Sequence, residues 1–153
     1  MKPKKGSVRL RKGRHDAPGL YYALTAITAG RQPFFENPSA ARAVLSSMQW
    51  LAKSNRIILE AGVIMPDHFH MVVRLGESAL SEVMHSLKGY SAKHINQAWG
   101  RSGPVWQHGY HDHAVRQDED LNAIIRYCLN NPVRAGLVDD FHDYPFWYCR
   151  YGV

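Results

Sequence analysis

Cysteine is scarce: the 153 residues hold two, Cys128 and Cys149, without a C-x-x-C spacing. That excludes a disulfide scaffold and a cysteine-rich zinc site, and it fits a reducing compartment. Long apolar runs are missing as well, since no stretch approaches the ~20 residues of a bilayer-spanning helix. The basic beginning of the sequence is followed by no apolar segment of the secretory kind. The expectation is a soluble cytoplasmic protein, nucleoid-associated, with no membrane partner. Acidic charge is the third shortage, with 13 Asp and Glu against 19 Lys and Arg, a net charge of +6.

The basic excess is concentrated in Lys2, Lys4, Lys5, Arg9, Arg11, Lys12 and Arg14. Such a block repels itself in a compact fold and reaches toward a polyanion, although a solvated tail has the same composition. Residues 1–18 therefore read as a basic N-terminal arm and residues 19–153 as one domain, because this length has room for a single core.

Within that domain, LYYALTAIT at 20–28 is rich in β-branched and aromatic residues and reads as a strand closed by Gly30. Pro38 opens a helix in which Ala40, Ala43, Val44, Met48 and Leu51 recur at helical spacing up to about Lys53. Residues 57–65 and 69–75 form two strands joined by the Pro66-Asp67 turn, a hairpin. Ser78 is expected to cap a long helix to about Trp99, with Leu80, Val83, Met84 and Leu87 buried. A fourth strand covers 110–115, and Asp118 caps a last helix that Pro132 stops. The order β-α-β-β-α-β plus a further helix predicts an α+β, ferredoxin-like, split βαβ antiparallel sheet, with helices on one face and an additional C-terminal helix.

The sharpest chemical signal is His68-Phe69-His70. Residues two apart on a strand share a face, so both imidazoles can reach one cation, while Phe69, Met71, Val73 and Leu75 turn to the core. A pair of solvated histidines has the same spacing, and His111 with His113 forms a second candidate pair. Spacing alone does not separate them. Two imidazoles leave an open coordination sphere, and Asn131 offers a carbonyl oxygen suited to magnesium or manganese. Asn131 follows Tyr127 by four residues, on one side of the last helix. At about 100° per residue, the stripe of Leu121, Ile124, Ile125 and Cys128 centres about 120° from Tyr127, which is thus off the core stripe. Tyr90 competes for the same role but lies nearer the apolar stripe of its helix, where packing accounts for it.

Four blocks carry a resemblance to a known family: MPDHFHMVV at 65–73, SLKGYSAKHIN at 86–96, RSGPVWQHGYHDHAVR at 101–116 and RYCLNNPVRAGLV at 126–138. Together they resemble the REP-associated tyrosine transposases, a branch of the single-tyrosine HUH superfamily related to insertion-sequence transposases, from about Leu20 to Trp147. The resemblance implies a DNA transposase that cuts and rejoins single-stranded, hairpin-forming DNA through a covalent 5′-phosphotyrosine. It implies Tyr127 as nucleophile, His68 and His70 as the metal pair, and Mg2+ or Mn2+ as cofactor. Related enzymes place glutamine four residues after the tyrosine as the third ligand; here that position is Asn131, one methylene shorter. Insertion-sequence relatives work as dimers with exchanged tyrosine helices and the REP-associated branch resembles monomers, so monomer and homodimer both stand.

The DNA-contact candidates are the arm residues Lys4, Lys5, Arg9, Arg11, Lys12 and Arg14, together with Arg74, Lys88, Arg116, Arg126 and Arg134. Lys93 is a further cation on the long helix. Trp99, Trp106 and Tyr110 can stack on bases, though burial serves aromatics equally. Two other readings remain at this level: a catalytically inactive, domesticated DNA- or RNA-binding protein, and a metal-dependent hydrolase in which Tyr127 only packs.

Overall fold

The computed structural model describes residues 17–152. Apart from Ala17 and Pro18, the basic arm lies outside the described residues, and with it Lys4, Lys5, Arg9, Arg11, Lys12 and Arg14. Five strands form one antiparallel sheet: β1 (Tyr21–Ile27), β2 (Ile57–Met65), β3 (His68–Leu75), β4 (His111–Ala114) and β5 (Trp147–Cys149), in the order β4-β1-β3-β2-β5. The first four strands follow the ferredoxin-like pattern that the element order predicts. β5 adds an edge by pairing Ala61 with Cys149 and Val63 with Trp147. Its three residues carry too little pattern to be read as a strand, and the sheet edge supplied by β2 makes it one.

One face of the sheet is covered by α1 (Pro38–Lys53) and α2 (Leu80–Trp99). Asn37 caps α1 by accepting from the amides of Ser39 and Ala40, just ahead of Pro38. The helices bury Val44, Met48, Leu51, Val83, Met84 and Leu87 against Tyr22, Leu24, Phe69, Met71 and Val73, a single large core. α2 starts one residue later than Ser78 predicts. Ala79 is its N-cap, its amide donates to Oε1 of Glu82, and Ser78 instead receives Nε of Arg56.

The other face carries α3 (Leu121–Leu129) and the single turn α4 (Asn131–Arg134). Here Ile125, Cys128 and Leu129 pack with Ala61, Val63 and Val72. β2 can serve both layers because its register shifts between Leu59 and Ala61, so Leu59 joins the α1–α2 core while Ala61 joins the other. Two sequence readings of this region are corrected. Asp120 rather than Asp118 caps α3, accepting from the amides of Asn122 and Ala123. The helix also ends before Asn131: Asn130 closes α3, and Asn131 opens a new turn in which Pro132 sits where no amide is needed. Among the described residues no helix is long and apolar enough to cross a membrane.

Candidate active site

The face of β3 opposite the large core presents His68 and His70, half-buried, while Phe69 and Met71 are fully buried behind them. Their rings lie 4.9 Å apart, edge to face. Each Nδ1 is already committed. His68 Nδ1 is 2.6 Å from Oδ1 of Asp67, and His70 Nδ1 is 2.7 Å from Oγ1 of Thr25. The Asp67 carboxylate only accepts and so draws the His68 proton to Nδ1, while the Thr25 hydroxyl, which can donate or accept, orients the His70 ring; neither contact uses Nε2.

Burial, then the charges of His68 and Arg134, push the His70 imidazole down to about 4. At neutral pH it is an uncharged ring with an available lone pair. Burial also acts to raise the Asp67 carboxyl, but hydrogen bonds from His68 and Arg31 outweigh it, and the net shift is downward. Arg31 Nη1 lies 3.0 Å from Asp67 Oδ2, so Asp67 bridges Arg31 and His68.

Tyr127 and Asn131 come to the same place from the opposite layer. A cavity of about 280 Å³ between the sheet and α3 is lined by Thr25, His70, His111, His113, Tyr127 and Asn131, among others. Although the helix breaks between them, both residues line that cavity within one chain. Asn131 Nδ2 donates to the carbonyl of Cys128 at 3.0 Å. A carbonyl only accepts, so this contact fixes the amide orientation and leaves Oδ1 as the free lone-pair end. Tyr127 is 66% exposed, and the guanidinium carbon of Arg134 stands 3.4 Å from its ring centroid.

The second histidine pair shares the cavity but differs in chemistry. His113 Nε2 is held by both carboxylate oxygens of Glu119, at 3.0 and 2.9 Å, which takes up a nitrogen a metal would need. His111 stands opposite Thr25 in the register of β1 and β4, as His70 does in that of β1 and β3. Tyr90 is on the other side of the sheet, on α2. It is 48% exposed and stacks on Trp50 at 5.7 Å, so it packs on a neighbouring helix and cannot reach the imidazoles of its own chain.

Among the described residues no group of three or more His, Cys, Asp or Glu is placed to hold a metal ion. The residues that could hold an ion are two imidazoles with committed Nδ1 atoms and one carboxamide oxygen. Two borderline nitrogens plus a hard oxygen fit a magnesium- or manganese-sized ion whose remaining positions are filled by water or phosphate oxygen.

The other candidates are scattered. Arg74 Nε donates to the carbonyl of Gly19, and its guanidinium lies 5.7 Å from the Tyr21 ring. Arg116 pairs with Asp118 and remains 67% exposed; Arg126 is exposed on α3. Lys88 is used structurally: Nζ donates to the carbonyls of Gln107 and Gly109 and so holds the loop before β4. Trp106 is buried against Phe35 and Phe69, its indole N–H on Ser91, whereas Trp99 is partly exposed beside Phe34. The sequence reading missed Thr25, Asp67 and Arg31. Asp67 is signalled only by standing next to His68, and Thr25 by nothing local, because sheet register brings it to His70.

With this geometry in view, comparison with known proteins is direct. Residues 16–131 match the family model described as "Transposase IS200 like", so the chain belongs to that family. Within it, the chain resembles the REP-associated tyrosine transposases. It is 30% identical over 90 residues to the REP-associated tyrosine transposase of Escherichia coli (strain K12), covering 58% of this chain and 52% of that one. It is 28% identical over 94 residues to a protein of similar description from Haemophilus influenzae, covering 54% and 53%. The chain thus spans about half the length of the curated relatives it matches. Among solved structures, a REP-associated tyrosine transposase bound to a REP hairpin superposes with a TM-score of 0.71 at 23% identity, over 88% of this chain and 79% of the other. A structure described as a transposase from Deinococcus radiodurans R1 gives 0.52 at 23% identity, over 78% and 95%. At these identities the likeness is one of fold.

Proposed function

We propose that the protein is a metal-dependent tyrosine transposase that cleaves and rejoins single-stranded DNA at hairpin-forming sites, with Tyr127 as nucleophile. The observation that carries this reading is the single cavity shared by Tyr127, Asn131 and His70, with His68 against His70. Family membership supports the class of reaction, and the hairpin bound to a structural neighbour of the same fold supports the kind of substrate.

In this reading Oη of Tyr127 attacks the scissile phosphorus. The new O–P bond links the tyrosine to the 5′ side of the break, and the P–O3′ bond opens as the 3′-oxygen leaves and takes up a proton. The bond energy is kept in the phosphotyrosine, so a free 3′-hydroxyl can reverse the step without a nucleotide cofactor. His68, His70 and Asn131 would hold Mg2+ or Mn2+, which when bound supplies charge neutralisation at a non-bridging phosphate oxygen. The chain's own work is to present two imidazoles whose Nδ1 atoms are engaged, His70 as the neutral ring, to hold the Asn131 amide in place, and to bring the phenol to the same cavity. Site assembly within one chain is consistent with a monomer, and a homodimer is tested by sedimentation.

The test is a mixing experiment. The protein, Mn2+ and a labelled single strand containing a hairpin are incubated, and a denaturation-resistant protein–DNA adduct is sought. Tyr127→Phe is expected to abolish the adduct and leave hairpin binding intact. An adduct formed equally well by that variant would defeat the assignment of the nucleophile.

A further inference from the structure

We infer that Arg134 is a positioning residue for the nucleophile: its guanidinium stacks on the Tyr127 ring and holds the phenol in the cavity. The inference rests on the reading of Tyr127 as nucleophile and goes beyond the use of Arg134 as a phosphate clamp.

The distance is the first support. Arg134 Cζ is 3.4 Å from the Tyr127 centroid, which is plane-on-face contact, whereas Arg101 over Phe34, Arg150 over Tyr151 and Arg74 over Tyr21 stand at 4.8, 5.5 and 5.7 Å. The second is exposure. Tyr127 is the most exposed large hydrophobic side chain among the described residues, so little packing restricts its rotamers. In-line attack requires a near-attack geometry, and a phenol free to swing would seldom adopt it.

Third, among the described residues no carboxylate claims Arg134. Arg116 and Arg150 pair with carboxylates, whereas among the described residues Arg134 forms no ion pair. Fourth, the chain is built to bring it there. α3 ends at Leu129 and a separate helical turn, α4, starts at Asn131 and carries Arg134. Helical side chains lean toward the N-terminus, and the long arginine stem therefore reaches back from α4 over Tyr127.

Stacking and phosphate clamping make different demands. A phosphate accepts a lysine as a point charge, but only the planar, delocalised guanidinium lies flat on a ring. Arg134→Lys keeps the charge and loses the plane, and Arg134→Met loses both.

The full-length protein is assayed with Mn2+ and the hairpin oligonucleotide, reading single-turnover adduct formation and hairpin affinity separately. Both variants are expected to form adduct about 10- to 100-fold more slowly, with hairpin Kd changed by no more than about twofold. In DNA-free protein carrying 3-fluorotyrosine at position 127, the fluorine resonance is expected to move in both variants, reporting loss of the stack. The inference is overturned if Arg134→Lys matches wild type in rate, if affinity falls in parallel with rate as for a phosphate clamp, or if the fluorine resonance stays unmoved. Absence of adduct from the wild-type protein instead overturns the nucleophile reading, and the inference falls with it.

Discussion

Thr25 Oγ1 stands 2.7 Å from Nδ1 of His70, a hydrogen bond between residues 45 apart in the chain and directly opposite each other in the sheet. It orients the ring of His70, one of the proposed metal pair. Replacing Thr25 by Val keeps the shape of the side chain and removes the hydroxyl. Losing a hydrogen bond that orients a metal-ligating histidine costs about 10- to 100-fold in metal affinity or activity. Manganese titration of the Thr25→Val protein, read by calorimetry, is expected to show a loss in that range with an unchanged circular dichroism spectrum. Wild-type affinity would mean that His70 does not hold the ion.

The arm is tested through salt. Each phosphate neutralised contributes about 0.9 to the slope of log affinity against log salt concentration. Changing Lys4, Lys5, Arg9, Arg11, Lys12 and Arg14 together to Gln is expected to weaken hairpin binding at low salt and flatten that slope by several units. A slope equal to wild type would make the arm a solvated tail.

Gly76 follows β3 where the chain passes the Arg56 segment. A Cβ there would lie 2.8 Å from the Arg56 carbonyl oxygen and 2.9 Å from that of Asn55, both backbone atoms. The Gly76 amide also donates to the Arg56 carbonyl at 3.0 Å. Backbone cannot step aside as a side-chain tip can, so Gly76→Ala is expected to destabilise by about 1–3 kcal/mol in urea unfolding. Gly76, Asn55 and Arg56 do not line the cavity, so manganese affinity is expected to be preserved.

Cys128 and Tyr144 set the alkaline limit of stability. Burial pushes the Cys128 thiol up to about 12 from an ordinary 9.0, and the Tyr144 hydroxyl up to about 12 from 10.0. Both folded-state values are raised, so the unfolded chain releases these protons first. The contribution is complete below about pH 9 and is lost as pH rises toward about 12. Urea midpoints measured at about pH 8 and about pH 10.5 should therefore fall more steeply for wild type than for Cys128→Ala. In the folded protein at neutral pH, iodoacetamide should modify Cys149, which is only half-buried, well before Cys128.

How much of this was legible in the residues varies with range. The alternation from His68 to Leu75 assigned both the strand and the faces of the two histidines, because a strand's period of two is local. α1 and the hairpin were readable for the same reason. The starts of α2 and α3 were each placed too early: Ser78 is the better cap by composition, but Ala79 caps through its amide to Glu82, and Asp118 is by composition the equal of Asp120. β5 escaped because three residues have no periodicity, and the break at Asn130 escaped because Pro132 allows a new helical turn as readily as an end.

Residue types and spacing, local properties of the chain, determined the inventory: two imidazoles on one strand face, a tyrosine off its helix's apolar stripe, a carboxamide four residues later, and a basic start. The tertiary structure decided which of these meet. Sheet register put Thr25 behind His70 and gave His113 to Glu119, layer packing put Tyr90 across the sheet from the imidazoles, and the turn after α3 laid Arg134 on Tyr127. Those outcomes depend on contacts between residues far apart in sequence, and no window of the chain contains both partners.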